Sequence, residues 1–118
     1  MLNQVVLVGR IENEPTIVKE NEKKKCTITI AVQRITKNEK GECETDFIPC
    51  VLWNGIATQT TEYCHKGDLV GVKGRIQTIP MASGYAIELI AEKVTFLSSK
   101  KPEVKKEDEN STIVCMDE

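Results

Sequence analysis

Along most of this chain apolar residues alternate with polar ones, and a repeat of two is what a strand needs to bury one face and wet the other. Residues 4–10 (QVVLVGR) form a nearly continuous apolar strand, and residues 16–20 a shorter one. Residues 26–33 (CTITIAVQ) set Cys26, Ile28, Ile30 and Val32 against Thr27, Thr29, Ala31 and Gln33. A polar, glycine-containing hairpin loop is expected over residues 36–44, and residues 45–53 (TDFIPCVLW) return as a strand. Two more strands follow at residues 69–78 (LVGVKGRIQT) and 85–97 (YAIELIAEKVTFL), joined by a short turn over residues 79–84 with Pro80 and Gly84.

One segment breaks the period. In GIATQTTEYCHKG, residues Ile56, Ala57, Thr60, Tyr63 and Cys64 fall on one face of a helix. Asn54 is placed to cap its start, His65 and Lys66 to complement its dipole, and Gly67 to supply the left-handed residue that stops it. So short a helix must pack on the sheet. Five main strands with one helix between the third and fourth match the order of the OB fold, an all-β Greek-key barrel. Gly9, Gly71 and Gly74 stand where strands must bend to close it. A β-sandwich with an added helix is the alternative.

With 118 residues, 40% apolar and 29% charged, the chain has enough hydrophobic side chain for one small core and is not a disordered chain. No apolar run approaches the roughly 18 residues of a membrane span, and the start lacks the flanks of a signal peptide, so a cytoplasmic location is expected. After Leu97 the apolar pattern stops; residues 1–97 read as the domain and residues 98–118 as a flexible charged tail. The net charge is −2, but residues 100–118 hold four basic and six acidic side chains, leaving the rest of the chain neutral.

The cysteines Cys26, Cys43, Cys50, Cys64 and Cys115 contain no CxxC pair, and His65 is the one histidine. That spacing argues against a structural metal or a disulfide framework, and free thiols acting as small apolar fillers are expected. No metal and no cofactor is called for. Neither GxSxG nor GxxxxGK[ST] occurs, and GVKGR at residues 71–75 lies within a strand rather than before a helix. No catalytic residue is assigned and the chain is read as a non-enzyme.

The informative constellation lies in the third main strand. Phe47, Pro49, Val51 and Trp53 share one face, while Ile48, Cys50 and Leu52 suffice as a core face on the other. Phe47 and Trp53, about 20 Å apart at roughly 3.3 Å per residue, would then stand outward as stacking platforms for unpaired bases. Either ring could instead pack under the helix or a partner subunit. Only Phe47, Trp53, Tyr63, Tyr85 and Phe96 are aromatic, so any ring on the surface is informative. In the fourth main strand Lys73, Arg75 and Gln77 share a face opposite Val72, Gly74 and Ile76, and the two cations suit phosphates. Thr27, Thr29 and Gln33 add hydrogen-bonding groups, and Arg34, Lys37 and Lys40 place three cations in or beside the long hairpin.

The stretches LNQVVLVGRI, TITIAVQR, TDFIPCVLWNGIA, EYCHKGDLVGVKGRIQT and AEKVTFL resemble the bacterial single-stranded DNA-binding proteins, in the small form of Gram-positive bacteria and their phages or mobile elements. The resemblance spans residues 1–97. It implies a homotetrameric OB-fold protein, associated with the nucleoid, that protects single-stranded DNA in replication, recombination and repair. It places Phe47 and Trp53 at the stacking positions, Arg75 and Gln77 on the DNA-lining fourth strand, Thr29 on the second, and Val5, Val6, Leu7 and Val8 where subunits pair edge to edge.

Three departures qualify that transfer. Thr36 and the segment Ile79-Pro80-Met81 stand where members commonly carry further aromatics, which would leave contact there to Met81 or Tyr85. The chain ends in STIVCMDE rather than in an acidic Pro-Phe tip, so recruitment of replication and repair proteins by such a tip is not implied. From another functional class, an OB module that binds protein as a replisome or primosome accessory subunit is the alternative.

Overall fold

A computed structural model describes residues 1–99 and contains β1 (Val5–Ile11), β2 (Val18–Glu20), β3 (Lys23–Lys37), β4 (Cys43–Trp53), α1 (Asn54–Tyr63), β5 (Leu69–Met81) and β6 (Gly84–Ser98). The strand order is β1-β5-β6-β4-β3-β2, and β1 also pairs with β3 through Arg10 and Ile11. That last pairing closes β1, β5, β6, β4 and β3 into a barrel. All neighbours are antiparallel except β4 and β6, which run parallel at Cys50–Leu89 and Val51–Ile90. Strand β2 stays outside the ring as a two-stranded ribbon with β3. This is the mixed five-stranded OB barrel expected from the strand order.

The alternation decides which side chains fill it. Ile11, Ile28, Ile30, Leu52, Val70 and Val72 are the largest fully buried side chains, with Cys26 and Cys50 among them. Each aliphatic side chain so buried contributes roughly 1.5–3 kcal/mol. Helix α1 contributes Ala57 and Thr60 to the buried set, and Cys64 follows it. Tyr63, placed on the same face by its spacing, instead stands 70% exposed. No helix among the described residues is long and apolar enough to cross a membrane.

Two of the three glycines are required by closure. A Cβ on Gly9 would stand 2.3 Å from the Ala31 carbonyl oxygen, and one on Gly74 2.1 Å from that of Ile90. Gly71 is different: its nearest neighbours would be at 3.9 Å, ordinary contact, so the bend assigned to it does not depend on the missing side chain.

The connections are tighter than their composition indicated. Strand β3 runs to Lys37 and β4 starts at Cys43, so the expected loop over residues 36–44 shrinks to a five-residue turn. Asn38 Oδ1 accepts from the Lys40 and Glu42 amides, and Gly41 takes φ 78°. The second connection is a two-residue turn with Met81 opposite Gly84. Helix α1 also ends differently. Asn54 makes no cap; its Oδ1 accepts from the Lys24 amide at 3.4 Å. Cys64 is extended and terminates the helix, so His65 and Lys66 lie beyond the last turn and Gly67, φ 94°, belongs to the next loop.

Cys26, Cys50 and Cys64 are buried free thiols, as expected of apolar fillers, and burial pushes the Cys50 thiol up to about 11. Cys43 is not among the free thiols, which corrects the all-free expectation there. Cys115, with the rest of the tail from residue 100 onward, lies outside the described residues.

Candidate nucleic-acid interface

None of the five aromatic side chains belongs to the core. Phe47 is 57% exposed, Tyr85 75% and Phe96 48%, while Trp53 is half-buried. Phe47 and Trp53 lie on the outer face of β4 because Ile48, Cys50 and Leu52 point inward. Between them stand Pro49, which is exposed, and Val51, which is buried although it lies outside the core cluster. The register explains this. Thr27 pairs with Val51, Val51 with Ile90, and Ile90 with Arg75, one row across β3, β4, β6 and β5. Val51 and Ile90 thus cover each other on the outside of the barrel and form an apolar floor between the two rings.

From that floor toward Phe47, Thr29 pairs with Pro49 and Ala31 with Phe47. Thr29 is half-buried, and its amide donates to Asn13 Oδ1 at 2.8 Å. Arg75 is half-buried, bonded to Glu92 Oε2 at 3.2 Å and to Gln77 Oε1 at 3.1 Å. Lys73 is exposed on a different row, between Val6 of β1 and Lys93 of β6. The bulge between Lys73 and Gly74 separates it from the aromatic face.

The hairpin cations divide into two kinds. Arg34 is held by Asp46 and Glu44, and the hydrogen bond from Arg34 keeps the Asp46 carboxyl below its ordinary range. Lys37 and Lys40 are exposed and close no ion pair within the described residues. Tyr85 sits at the tip of the β5–β6 hairpin opposite Pro80. On the opposite side of the barrel β1 pairs with β5, and Val6 and Val8 are exposed at 65% and 52% beside half-buried Val5 and Leu7.

One contact had no counterpart in the sequence reading. Lys25, opposite Trp53 in the β3–β4 register, places its ammonium 5.5 Å from the indole centroid. The run Lys23-Lys24-Lys25 ahead of the second main strand is the signal that could have pointed to it.

Barrel, closure and outward aromatic strand define an OB-fold binding protein. The chain belongs to the single-strand binding protein family, whose model matches residues 2–97. It is 40% identical to single-stranded DNA-binding protein B of Bacillus subtilis (strain 168), over 87% of this chain and 96% of that one. It is 39% identical to single-stranded DNA-binding protein 1 of Clostridium acetobutylicum, over 87% of this chain and all of the relative. A solved structure of a deletion mutant of the single-stranded DNA binding protein from Thermus aquaticus superposes with a TM-score of 0.70 at 21% identity. It covers 82% of this chain, which spans about half (51%) of that one, and the likeness shows the fold. Membership agrees with the reading of a binding protein that is not an enzyme.

Proposed function

We propose that this chain binds single-stranded DNA without sequence preference and protects it during replication, recombination and repair. The observation that carries the reading is a chain with five aromatics that buries none of them in its core and aligns Phe47 and Trp53 on one outer strand face. Unpaired bases stack on such rings at about 1–3 kcal/mol per base, and every base has a face to offer. Val51 and Ile90 supply an apolar floor between the rings. Thr29, Gln77 and Arg75 border that floor, Lys37 and Lys40 extend the binding surface along the β3–β4 hairpin, and Tyr85 along the other hairpin. Arg34 and Lys73 contribute less, the first because carboxylates hold it and the second because of its row.

The exposed valines of β1, flanked by Val5 and Leu7, support pairing of subunits along that strand and a homotetramer. Its place is then the cytoplasm, with the nucleoid DNA.

The test is titration of the protein with a dT oligomer while the one tryptophan is excited, together with light scattering of both states. Quenching that weakens as salt rises, and a mass of four chains, are expected. An unchanged signal at low salt would overturn the reading. The pairing of Arg34 and Arg75 with carboxylates favours a second reading, an OB module that binds protein. It would be selected by a protein partner retained after nuclease and high salt, with no oligonucleotide bound.

A further inference from the structure

The β2–β3 ribbon is joined to one end of the aromatic face. Lys25 is the register partner of Trp53, and the Lys24 amide donates to Asn54, the residue after Trp53. Farther out, Val18 pairs with Lys25, Lys19 with Lys24, and Glu20 with Lys23. The ribbon turns through Asn21 and Glu22 and carries Lys19, Lys23, Lys24 and Lys25 within seven positions.

Two features of this ribbon make little sense for a free surface. Lys19 and Lys24 stand directly opposite each other in an antiparallel pair, where like charges are destabilising. Both are exposed, and neither closes an ion pair within the described residues. An anion lying across them would remove the repulsion. The second feature is the placement of Lys25. Its ammonium lies over the indole, within the roughly 6 Å of a cation–π contact, and also bonds Glu20 Oε1 at 3.3 Å. The ring most suited to stacking is therefore capped by a cation that is also paired with a carboxylate.

We infer that the ribbon is part of the interface: Lys25 caps Trp53 in the free protein, moves from Glu20 to a phosphate when a base stacks on the ring, and Lys19 and Lys24 seat the next phosphates of the strand. The inference rests on the proposed binding of single-stranded DNA and extends its path past Trp53. Glu20 acts in it as a competitor of the phosphate, and its removal strengthens binding. Lys25 touches the strand itself in the bound state, and its signature is electrostatic, since each phosphate contact surrendered lowers the slope of log affinity on log salt by about 0.7 for a single strand.

The experiment is dT-oligomer titration followed by Trp53 emission, over a series of salt concentrations, for the parent chain, Lys25→Gln, Lys19→Gln/Lys24→Gln and Glu20→Gln. The double variant is expected to bind more weakly with a slope shallower by about 1.4, and Lys25→Gln with one shallower by about 0.7. Glu20→Gln is expected to bind several-fold more tightly. Thermal midpoints identify any variant that fails through folding, and the double variant, relieved of its like-charge pair, is expected to melt no lower than the parent. Parental slopes in both lysine variants, with binding retained, would overturn the ribbon's role and leave the aromatic face standing. Failure of the parent chain itself to bind would overturn both.

Discussion

Arg34 grips Asp46 across the β3–β4 ribbon with three bonds, Nη2 to Oδ1 at 2.8 Å and Nε to Oδ2 at 3.0 Å and to Oδ1 at 3.2 Å, while its Nη1 reaches Glu44 at 2.6 Å. A guanidinium so occupied has little left for phosphate, whereas Lys37 and Lys40 on the same hairpin do. Arg34→Gln is therefore expected to leave the salt slope of dT binding unchanged. Lys37→Gln and Lys40→Gln should each lower it by about 0.7. A fall of that size in the arginine variant would mean that Arg34 leaves its carboxylates for the strand.

Phe47 is exposed enough that its removal should cost little stability, so its loss can be read as binding alone. Phe47→Ala is expected to weaken dT binding by about 1–3 kcal/mol, roughly 5- to 150-fold, with the thermal midpoint nearly unmoved. Tyr63 and Phe96 provide the control. They line a groove of about 450 Å³ between α1 and β6. Tyr63→Ala and Phe96→Ala should bind as the parent does.

Gly74 and Gly71, three positions apart on β5, separate close approach from bare flexibility. Alanine at 74 would drive its methyl against the Ile90 backbone, which cannot rotate away; about 1–3 kcal/mol of destabilisation is expected. Alanine at 71 meets nothing closer than 3.9 Å and removes freedom from the unfolded chain, for a gain of about 0.5 kcal/mol. Urea unfolding of both variants checks the opposite signs.

Much of the barrel was legible because strand alternation is a local rule. Ile28 and Ile30, or Cys50 and Leu52, declare an inward face without reference to anything distant. What escaped depends on register between strands far apart in sequence. Val51 reads as an outward residue, and only the parallel pairing of β4 with β6 brings Ile90 beside it. The hairpin read as loop because residues 36–37 and 43–44 lack apolar alternation; cross-strand ion pairs from Arg34 extend the ladder there instead. Asn54 has the chemistry of a helix cap, but at φ 52° its side chain turns to the ribbon. Lys25 over Trp53 follows from the same register, which no spacing in the chain discloses.

The β2–β3 turn carries a correctable strain. Glu20 and Lys23 flank two residues at positive φ, Asn21 at 56° and Glu22 at 65°. Such a two-residue hairpin turn prefers Asn-Gly, because a side chain at the second position pays for the left-handed conformation. Glu22→Gly is expected to stabilise the ribbon by about 0.5–1 kcal/mol. Slower amide exchange at Lys23 and Val18 would report it; faster exchange would contradict it.

His65 ties the loop after α1 to the loop after β1. Its Nδ1 lies 3.0 Å from Glu14 Oε2, and the Lys66 amide donates to Glu14 Oε1 at 3.1 Å. The hydrogen bond raises the His65 pKa above its ordinary value and lowers that of Glu14. The histidine's contribution is complete below its unfolded value of about 6.5 and is lost as pH rises through the folded value. The carboxylate's is complete above its unfolded value of about 4.3 and is lost as pH falls through the folded one. Between these two unfolded values the tie is fully made, with Nδ1–H donating to the carboxylate. As the chain has a single histidine, its ring protons report the tie without ambiguity in an NMR titration. The midpoint is expected above 6.5 in the parent and lower in Glu14→Gln; an identical midpoint in both would show that the pair does not hold in solution.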